Sequence, residues 1–115
     1  MSELTEREFE ALAHRTLQRV VEAFDPVDPD EVEAVPSDGV VRLDFQGRRA
    51  PWVVNSQRGA KQIWLAADRQ AWHFAHAGEG PEDLRWVSPK TGEELFETLG
   101  RLLEERAGVS VRFAP

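Results

Sequence analysis

The stretch NSQRGAKQIWLA, residues 55–66, indicates what kind of fold this chain forms. Its apolar residues Ile63 and Leu65 recur with a period of two, which is typical of a β-strand with one buried and one solvated face. Trp64 lies between them in the sequence, so its indole is expected on the opposite face. The stretch therefore predicts a sheet that carries a large aromatic side chain on its solvent side.

The composition indicates one globular domain over residues 1–115. Apolar residues make up 41% of the chain and charged residues 30%. A chain of this length buries about 65% of its unfolded surface in one core. No apolar run approaches the roughly 20 residues that span a bilayer, and the N-terminus is acidic, unlike a signal or transit peptide. We therefore expect a cytoplasmic protein with no membrane partner.

The charge balance and the absence of cysteine exclude several classes of function. The net charge of -7 offers no basic face for phosphates, so no nucleic-acid partner is expected. An acidic chain suits cations or a basic patch on another protein. Without cysteine the chain has no disulfide, no thiolate-bound zinc, no cysteine nucleophile and no thiolate ligand for an iron–sulfur cluster.

Two helices are predicted, one towards each end of the chain. Thr5 and Glu8 form a capping box that predicts a helix from about Glu6 to Phe24. Its apolar stripe consists of Phe9, Leu12, Ala13, Leu17, Val20 and Phe24. Thr91 and Glu94 predict a second capping box, and Gly108 ends the helix that follows it. The apolar face of that helix consists of Leu95, Phe96, Leu99, Leu102 and Leu103.

The segment between the helices predicts short antiparallel strands. The apolar period is two in VEAV (32–35), VVRLDF (40–45), APWVVN (50–55), QIWLA (62–66), AWHFA (71–75) and RWV (85–87). Short turns separate these runs, which favours a meander. Two helices cover only one face of such a sheet, so we expect an α+β fold with an open sheet face. The tail VSVRF (109–113) alternates again and is expected to lie back on the domain.

An acidic ridge is the first candidate site. We define it as the run of carboxylates from the end of the first helix to the first strand: Glu22, Asp25, Asp28, Asp30, Glu31 and Glu33. Asp38, Asp44 and His14 are secondary candidates. Carboxylates are hard oxygen donors that suit hard cations, and without a neighbouring histidine or cysteine the binding is expected to be weak and hydrated. Two alternatives are a solvated face that keeps the chain soluble and a docking surface for a basic partner.

Trp64 is the centre of the second candidate site. Asn55, Lys61 and Gln62 are placed to offer hydrogen bonds around it, which is the composition of an interface with an aromatic anchor. The alternative is an incidental aromatic that a neighbouring side chain covers. Among the other tryptophans we expect Trp72 in the core, whereas Trp52 and Trp86 fit either face.

The histidines carry weaker signals. His73 and His76 differ in parity, so a regular strand sends them to opposite faces and they cannot share a metal. His14 lies one helical turn from Glu10, a spacing that suits a metal pair, although ordinary surface histidines are the commoner case. No nucleophile elbow, phosphate-binding glycine loop or zinc signature is present, so an enzyme is not expected.

The chain resembles the frataxin family, in its bacterial CyaY form. The resemblance rests first on WVVNSQRGAKQIWLA (52–66) and runs from Phe9 to Phe113. Supporting pieces are DGVVRLDF (38–45), WHF (72–74), Trp86 and SPKTGEELFETL (88–99), in the same order and with the same spacing. The resemblance implies the frataxin fold, with two roughly parallel helices on one face of a twisted antiparallel sheet.

The resemblance also implies a function in iron–sulfur cluster assembly. Family members bind ferrous or ferric iron weakly along the acidic ridge, and other divalent cations are expected to bind in vitro. They dock onto the cysteine desulfurase, with the cluster scaffold protein as a further partner, and Trp64 lies on the surface that the family uses for docking. In this chain Val21, Pro26 and Pro29 occupy positions where the family often has acids, so the ridge is thinned.

Three functions therefore follow from the sequence. The first is a monomeric, iron-binding regulator of cluster assembly that docks to the desulfurase through Trp64, Gln62, Asn55 and Lys61. The second is a metal-independent interaction module of the same fold. The third is iron storage with ferroxidase activity, which requires oligomers that form with excess iron and a closer set of carboxylates than a thinned ridge provides.

Overall fold

The computed structural model describes residues 4–47, 49–80 and 82–113. The ends of the predicted domain, residues 1–3 and 114–115, and positions 48 and 81 lie outside the described residues. The elements are α1 (Glu6–Ala23), β1 (Val32–Ser37), β2 (Val40–Phe45), β3 (Trp52–Gln57), β4 (Gln62–Ala67), β5 (Gln70–His76), β6 (Trp86–Val87) and α2 (Leu95–Leu102). A π-helical turn, Leu103–Ala107, extends α2.

The strands form one antiparallel meander in the order β1-β2-β3-β4-β5-β6. Each strand pairs with its neighbour in sequence, as the short turns predict. Three hairpin turns contain residues with positive φ: Gly39 (72°) between β1 and β2, Lys61 (52°) between β3 and β4, and Asp68 (51°) and Arg69 (70°) between β4 and β5. Two consecutive residues with positive φ match the right-handed twist of a hairpin.

Both helices cover the same face of the sheet. The buried residues of α1 are those of the predicted stripe together with Thr16, and the stripe's last member, Phe24, is buried at the C-cap. The core residues of α2 include Leu95, Leu99 and Leu102. On the sheet, the fully buried side chains are Val32, Val41, Leu43, Trp52, Val54, Ile63, Leu65, Phe74 and Trp86, which share one face by their register. The opposite face contributes no buried side chain among the described residues. The predicted two-layer α+β architecture and its open sheet face are confirmed.

The start of α1 is as predicted, and the start of α2 is not. The Thr5 hydroxyl accepts the Glu8 amide, and the Glu8 carboxylate accepts the Thr5 amide at 2.9 Å. In α2 the predicted Thr91–Glu94 capping box does not form. Glu94 is itself the N-cap and accepts the amide of Glu97. The Thr91 hydroxyl instead accepts the amide of Glu93 in the preceding turn.

The C-terminal tail packs against α2, as expected. Gly108 ends the helical segment with a φ of 67°, and the Val109 amide donates to the Leu103 carbonyl. Phe113 stacks on Phe96 with 5.3 Å between ring centroids. The described tail residues are not part of the sheet.

Candidate functional site

The acidic ridge follows the chain from α1 to β1. Glu22 lies in the last turn of α1, the next four acids lie in the linker, and Glu33 lies on the open face of β1. All six side chains are exposed. The linker is ordered by its own hydrogen bonds, since Asp28 accepts the amide of Asp30 at 2.9 Å and its carbonyl accepts the amide of Glu31 at 2.8 Å. The structure therefore confirms that the ridge is one solvated run of carboxylates.

The carboxylates of the ridge are not the ones that pair with Arg42, Arg49, Arg58, Arg101 or Arg106. The partners of those arginines are Asp44, Asp68, Glu10, Glu93 and Glu105. Glu33 lies opposite Asp44 in the β1–β2 register, and after Asp44 its negative charge also contributes to the raised pKa of Arg42. The ridge is thus available for a cation or for a positively charged surface.

The ridge does not form a closed metal cage. Within the described parts of the chain, no three histidine, aspartate or glutamate side chains converge as metal ligands do. A cation on this surface would be held by one or two carboxylates and would keep most of its water ligands. This arrangement fits the weak, hydrated binding that the sequence predicts.

Asp44 is held by Arg42, which the sequence analysis did not anticipate. Asp44 accepts two hydrogen bonds from Arg42, at 2.7 and 2.9 Å. The hydrogen bonds from Arg42 lower the pKa of Asp44, and those to Asp44 raise the pKa of Arg42. Asp44 is therefore committed to an internal partner and adds less free negative charge to the ridge than expected.

The other secondary candidates are also separate from the ridge. Asp38 lies in the β1–β2 turn and His14 is exposed on α1. Glu10, the predicted partner of His14 in a metal pair, forms an ion pair with Arg58 at 2.8 Å. The structure therefore gives no support to a His14–Glu10 metal pair.

Trp64 lies on the open face at the centre of a cross-strand row. Asn55 of β3 pairs with it on one side and His73 of β5 on the other. The indole donates to the Gln62 side chain at 2.9 Å, and one ring face stacks on His73 with centroids 4.1 Å apart and planes 11° apart. Trp64 is half-buried as a result. The predicted strand phase is correct, and His73 covers part of the ring that was expected to face water.

The surroundings of Trp64 are partly apolar. The neighbouring row of the open face consists of Val35, Arg42, Val53, Ala66 and Ala71. We define the aromatic platform as Trp64, His73, Asn55 and Gln62. The row lies between this platform and the pair Glu33 and Asp44 at one edge of the sheet. The open face thus offers one continuous surface with an aromatic end and an acidic end.

Lys61 differs from its predicted position. Its ammonium group donates to the Leu4 carbonyl at 2.7 Å, just before α1 begins. The ammonium group of Lys61 was expected to donate a hydrogen bond beside Trp64, and it donates to the helix layer instead. Lys61 ends the β3–β4 turn, where it adopts a left-handed backbone conformation with a φ of 52°.

His73 is the residue of the aromatic platform that the sequence analysis missed. It was interpreted as an ordinary surface histidine, although the hairpin register that places it beside Trp64 follows from a two-residue turn at 68–69. His76 lies on the opposite face, as its parity predicts, and its ring contacts Trp86 with centroids 5.2 Å apart. Trp52 and Trp86 are fully buried, and Trp72 is half-buried at the edge of the core.

Comparisons with known proteins agree with the sequence and the fold. A family model described as a frataxin-like domain matches residues 2–109. The iron-sulfur cluster assembly protein CyaY of Cupriavidus taiwanensis is 34% identical over 116 residues, which cover 98% of this chain and 99% of that protein. The protein of the same name from Ralstonia nicotianae is 36% identical over 115 residues, with 96% of each chain covered.

A solved structure supports the same assignment. The frataxin of Psychromonas ingrahamii superposes with a TM-score of 0.83 at 20% identity, over 97% of this chain and 100% of that one. At this identity the likeness establishes the fold. No helix among the described residues is long and apolar enough to cross a membrane. Since the family model matches nearly the whole sequence and the fold agrees with it, this chain belongs to the frataxin family.

Proposed function

We propose that this chain is an accessory protein of iron–sulfur cluster assembly, the role that the names of its relatives state for them. It binds iron weakly on the acidic ridge and docks onto a cysteine desulfurase through the ridge and the aromatic platform. The cluster scaffold protein is the second partner for the open sheet face. The chain acts by contact and metal delivery and carries out no catalysis of its own.

The observation that supports iron binding is the run of six exposed carboxylates between Glu22 and Glu33. Oxygen donors of this kind suit ferrous and ferric iron as hard cations. Because the ligands are spread along the chain, each iron is held loosely and can pass to a partner. A site without cysteine or histidine also has no strong ligand that would retain the metal.

The observation that supports docking is the half-buried indole of Trp64. The Gln62 hydrogen bond and the His73 stack fix its orientation before any partner arrives. A rigid aromatic loses little conformational entropy when it enters a pocket, which is why such residues dominate interface energies. The ridge adds long-range attraction to a basic partner and raises the association rate.

Anaerobic titration of ferrous iron, followed by the amide resonances of the folded protein, tests iron binding. Broadening at residues 22–33 that is lost in the Glu22→Gln/Asp25→Asn variant is expected. The Glu97→Gln/Glu104→Gln variant removes the same charge from the exposed side of the helical segment after residue 94, and it should keep the response. If both variants lost the broadening equally, the response would be a non-specific effect of charge and the ridge would not be an iron site.

A metal-independent interaction module is the second candidate, favoured because no closed ligand set exists among the described residues. Measuring desulfurase affinity with and without an iron chelator separates the two. Affinity that depends on Trp64 but is unchanged by the chelator favours the second candidate. For Trp64→Ala, the matched control is Phe113→Ala, because both residues are half-buried rings stacked on one neighbour.

A further inference from the structure

His73 is the residue of the aromatic platform that can gain or lose a proton near neutral pH. Its ring stacks on Trp64 with 4.1 Å between centroids and 11° between planes. The side chain is exposed, so it exchanges protons with solvent. Histidine is the side chain that ordinarily changes charge between about pH 5 and pH 8. The centre of the open sheet face therefore exists in a neutral and a positively charged form.

The positions next to His73 on the open face hold no group that would neutralise an imidazolium. By register these positions are Trp64 opposite, Gln62 and Ala66 diagonally across β4, Ala71 and Ala75 on the same strand, and Val87 beside Ala75 on β6. None of these side chains is charged. The immediate surroundings of His73 are therefore uncharged.

The carboxylates of the surrounding elements are engaged elsewhere or separated from His73. The charged residues of these elements are Glu33 on β1, Arg42 and Asp44 on β2, Lys61 before β4, Asp68 and Arg69 in the β4–β5 turn, Glu79, Glu82 and Asp83 in the loop after β5, and Arg85 and Lys90 on either side of β6. Asp68 accepts the Trp52 indole at 3.2 Å, and Asp44 accepts Arg42.

Distance separates His73 from the other acids. Glu33 lies four strands away, which is about 19 Å at the usual strand spacing. The acids of the loop follow Ala77, four residues and about 13 Å beyond His73 along the strand direction. In the free protein, the main partner of a protonated His73 is therefore water.

A partner that covers Trp64 also removes water from His73, because the two rings are stacked. Taking an imidazolium out of water without an anion costs free energy, whereas a neutral imidazole is transferred at a much lower cost. An imidazolium over an indole is a cation–π contact, so the stack is compatible with both protonation states. Protonation therefore changes the charge of the aromatic platform while leaving its shape in place.

We propose that His73 makes docking through the aromatic platform depend on pH, with the neutral imidazole as the form that binds. The inference rests on the docking to a cysteine desulfurase proposed above. A protonated His73 releases its proton to solvent before the platform is covered, so docking and proton release are coupled. A partner whose basic surface meets the acidic ridge adds like-charge repulsion to this cost. The open face therefore loses affinity for its partner as the pH falls.

Measuring the affinity for purified cysteine desulfurase from about pH 5.5 to about pH 8, with an iron chelator present, tests this inference. Wild-type affinity should fall by up to about tenfold for each pH unit below the titration midpoint of His73. His73→Phe keeps a ring beside Trp64 but takes up no proton. Because titrations of the desulfurase affect both chains equally, the ratio of wild-type to His73→Phe affinity is the readout, and it should fall with pH. His73→Gln, a second variant that takes up no proton, should give a ratio with the same pH dependence.

His14→Gln is the matched control, because it removes another exposed histidine, on α1 in the helix layer. It should keep the wild-type pH dependence, and circular dichroism checks that each variant is folded. In the free protein, the indole N–H resonance of Trp64 should follow the His73 titration in wild type and in His14→Gln. The same resonance should lose this response in His73→Phe.

The inference is overturned if the affinity ratio is constant with pH, or if the Trp64 resonance ignores the titration of His73. It is also overturned if the ratio rises as the pH falls, since a carboxylate of the partner would then pair with the imidazolium. Binding that requires Trp64 and ignores pH refutes this inference alone. Absence of binding at every pH refutes the proposed docking and, with it, the regulation of that docking.

Discussion

Replacing Thr16 by valine tests the buried hydrogen bond that joins α1 to β6. Thr16 and Trp86 are both fully buried, and the indole donates to the Thr16 hydroxyl at 2.7 Å. The hydroxyl donates in turn to the Leu12 carbonyl at 2.7 Å. Valine has nearly the same shape as threonine, so this substitution removes the acceptor of the indole N–H and leaves the packing intact.

The expected cost of Thr16→Val follows from what remains after the change. The indole N–H of Trp86 keeps no acceptor in a site without solvent, and a buried unsatisfied donor costs about 1–3 kcal/mol. We expect the free energy of unfolding to fall by about 2 kcal/mol. For a chain of 115 residues this corresponds to a decrease in Tm of about 8 °C. Thr16→Ser keeps the acceptor and loses one methyl group, so it should cost only about 1 kcal/mol.

Urea unfolding followed by far-ultraviolet circular dichroism measures both variants. The same pair of measurements in a Trp86→Phe background completes a double-mutant cycle, and there the extra cost of Thr16→Val should disappear because no N–H is left unpaired. A Thr16→Val cost below about 0.5 kcal/mol, or an undiminished cost in the Trp86→Phe background, would refute the reasoning.

Three further predictions concern the helix start, the loop and the platform. Thr5→Ala should lower the free energy of unfolding by about 1 kcal/mol. Hydrogen bonds from Thr5 lower the pKa of Glu8 from its usual 4.5. The stabilisation by ionised Glu8 is therefore present above pH 4.5 and is lost as the pH falls through the lowered pKa. A difference in free energy of unfolding between Glu8→Gln and wild type that does not change with pH contradicts this. Gly78→Ala should destabilise the loop through the clash with Asp83, detectable as faster amide exchange at residues 77–80, 82 and 83, and unchanged exchange contradicts the clash. Trp64→Ala should unfold at nearly the wild-type urea concentration while binding to the desulfurase is lost; a large loss of stability would mean that Trp64 is a core residue.

The sequence was sufficient for the layers of the fold and for the phase of each strand. Because the apolar residues around position 64 recur with a period of two, Ile63 and Leu65 were expected on the buried face. The same alternation placed Trp64 on the opposite face. The apolar stripe of α1 was equally clear because all its members recur at helical spacing. Patterns of this kind depend only on which side chains leave water, so they can be predicted from sequence.

Details that depend on competition between local hydrogen bonds could not be predicted. Thr91 and Glu94 have capping-box spacing, but the Thr91 hydroxyl binds the Glu93 amide and Glu94 becomes the cap. Lys61 has a left-handed backbone conformation that a lysine rarely adopts, and its ammonium group donates to the Leu4 carbonyl.

In the candidate site, the exposure of the ridge acids could be predicted from the sequence, whereas two side-chain contacts could not. The exposure of the ridge acids followed from their charge and position, and the structure confirms it. The Arg42–Asp44 pair was not anticipated, because residues two apart on one strand share a face, and whether they form an ion pair depends on rotamers. The stacking of His73 on Trp64 needed the register of the β4–β5 hairpin.

The sequential order of the strands also determines how the chain folds in time. Each hairpin of the meander joins neighbours in sequence, so each can close over a short loop. The contacts that bridge the two ends, such as the Thr16–Trp86 bond across 70 residues, carry the largest loop-closure cost. Folding is therefore expected to begin in the central hairpins and to finish when α1 docks. The frataxin fold then becomes complete only once both ends of the chain have met.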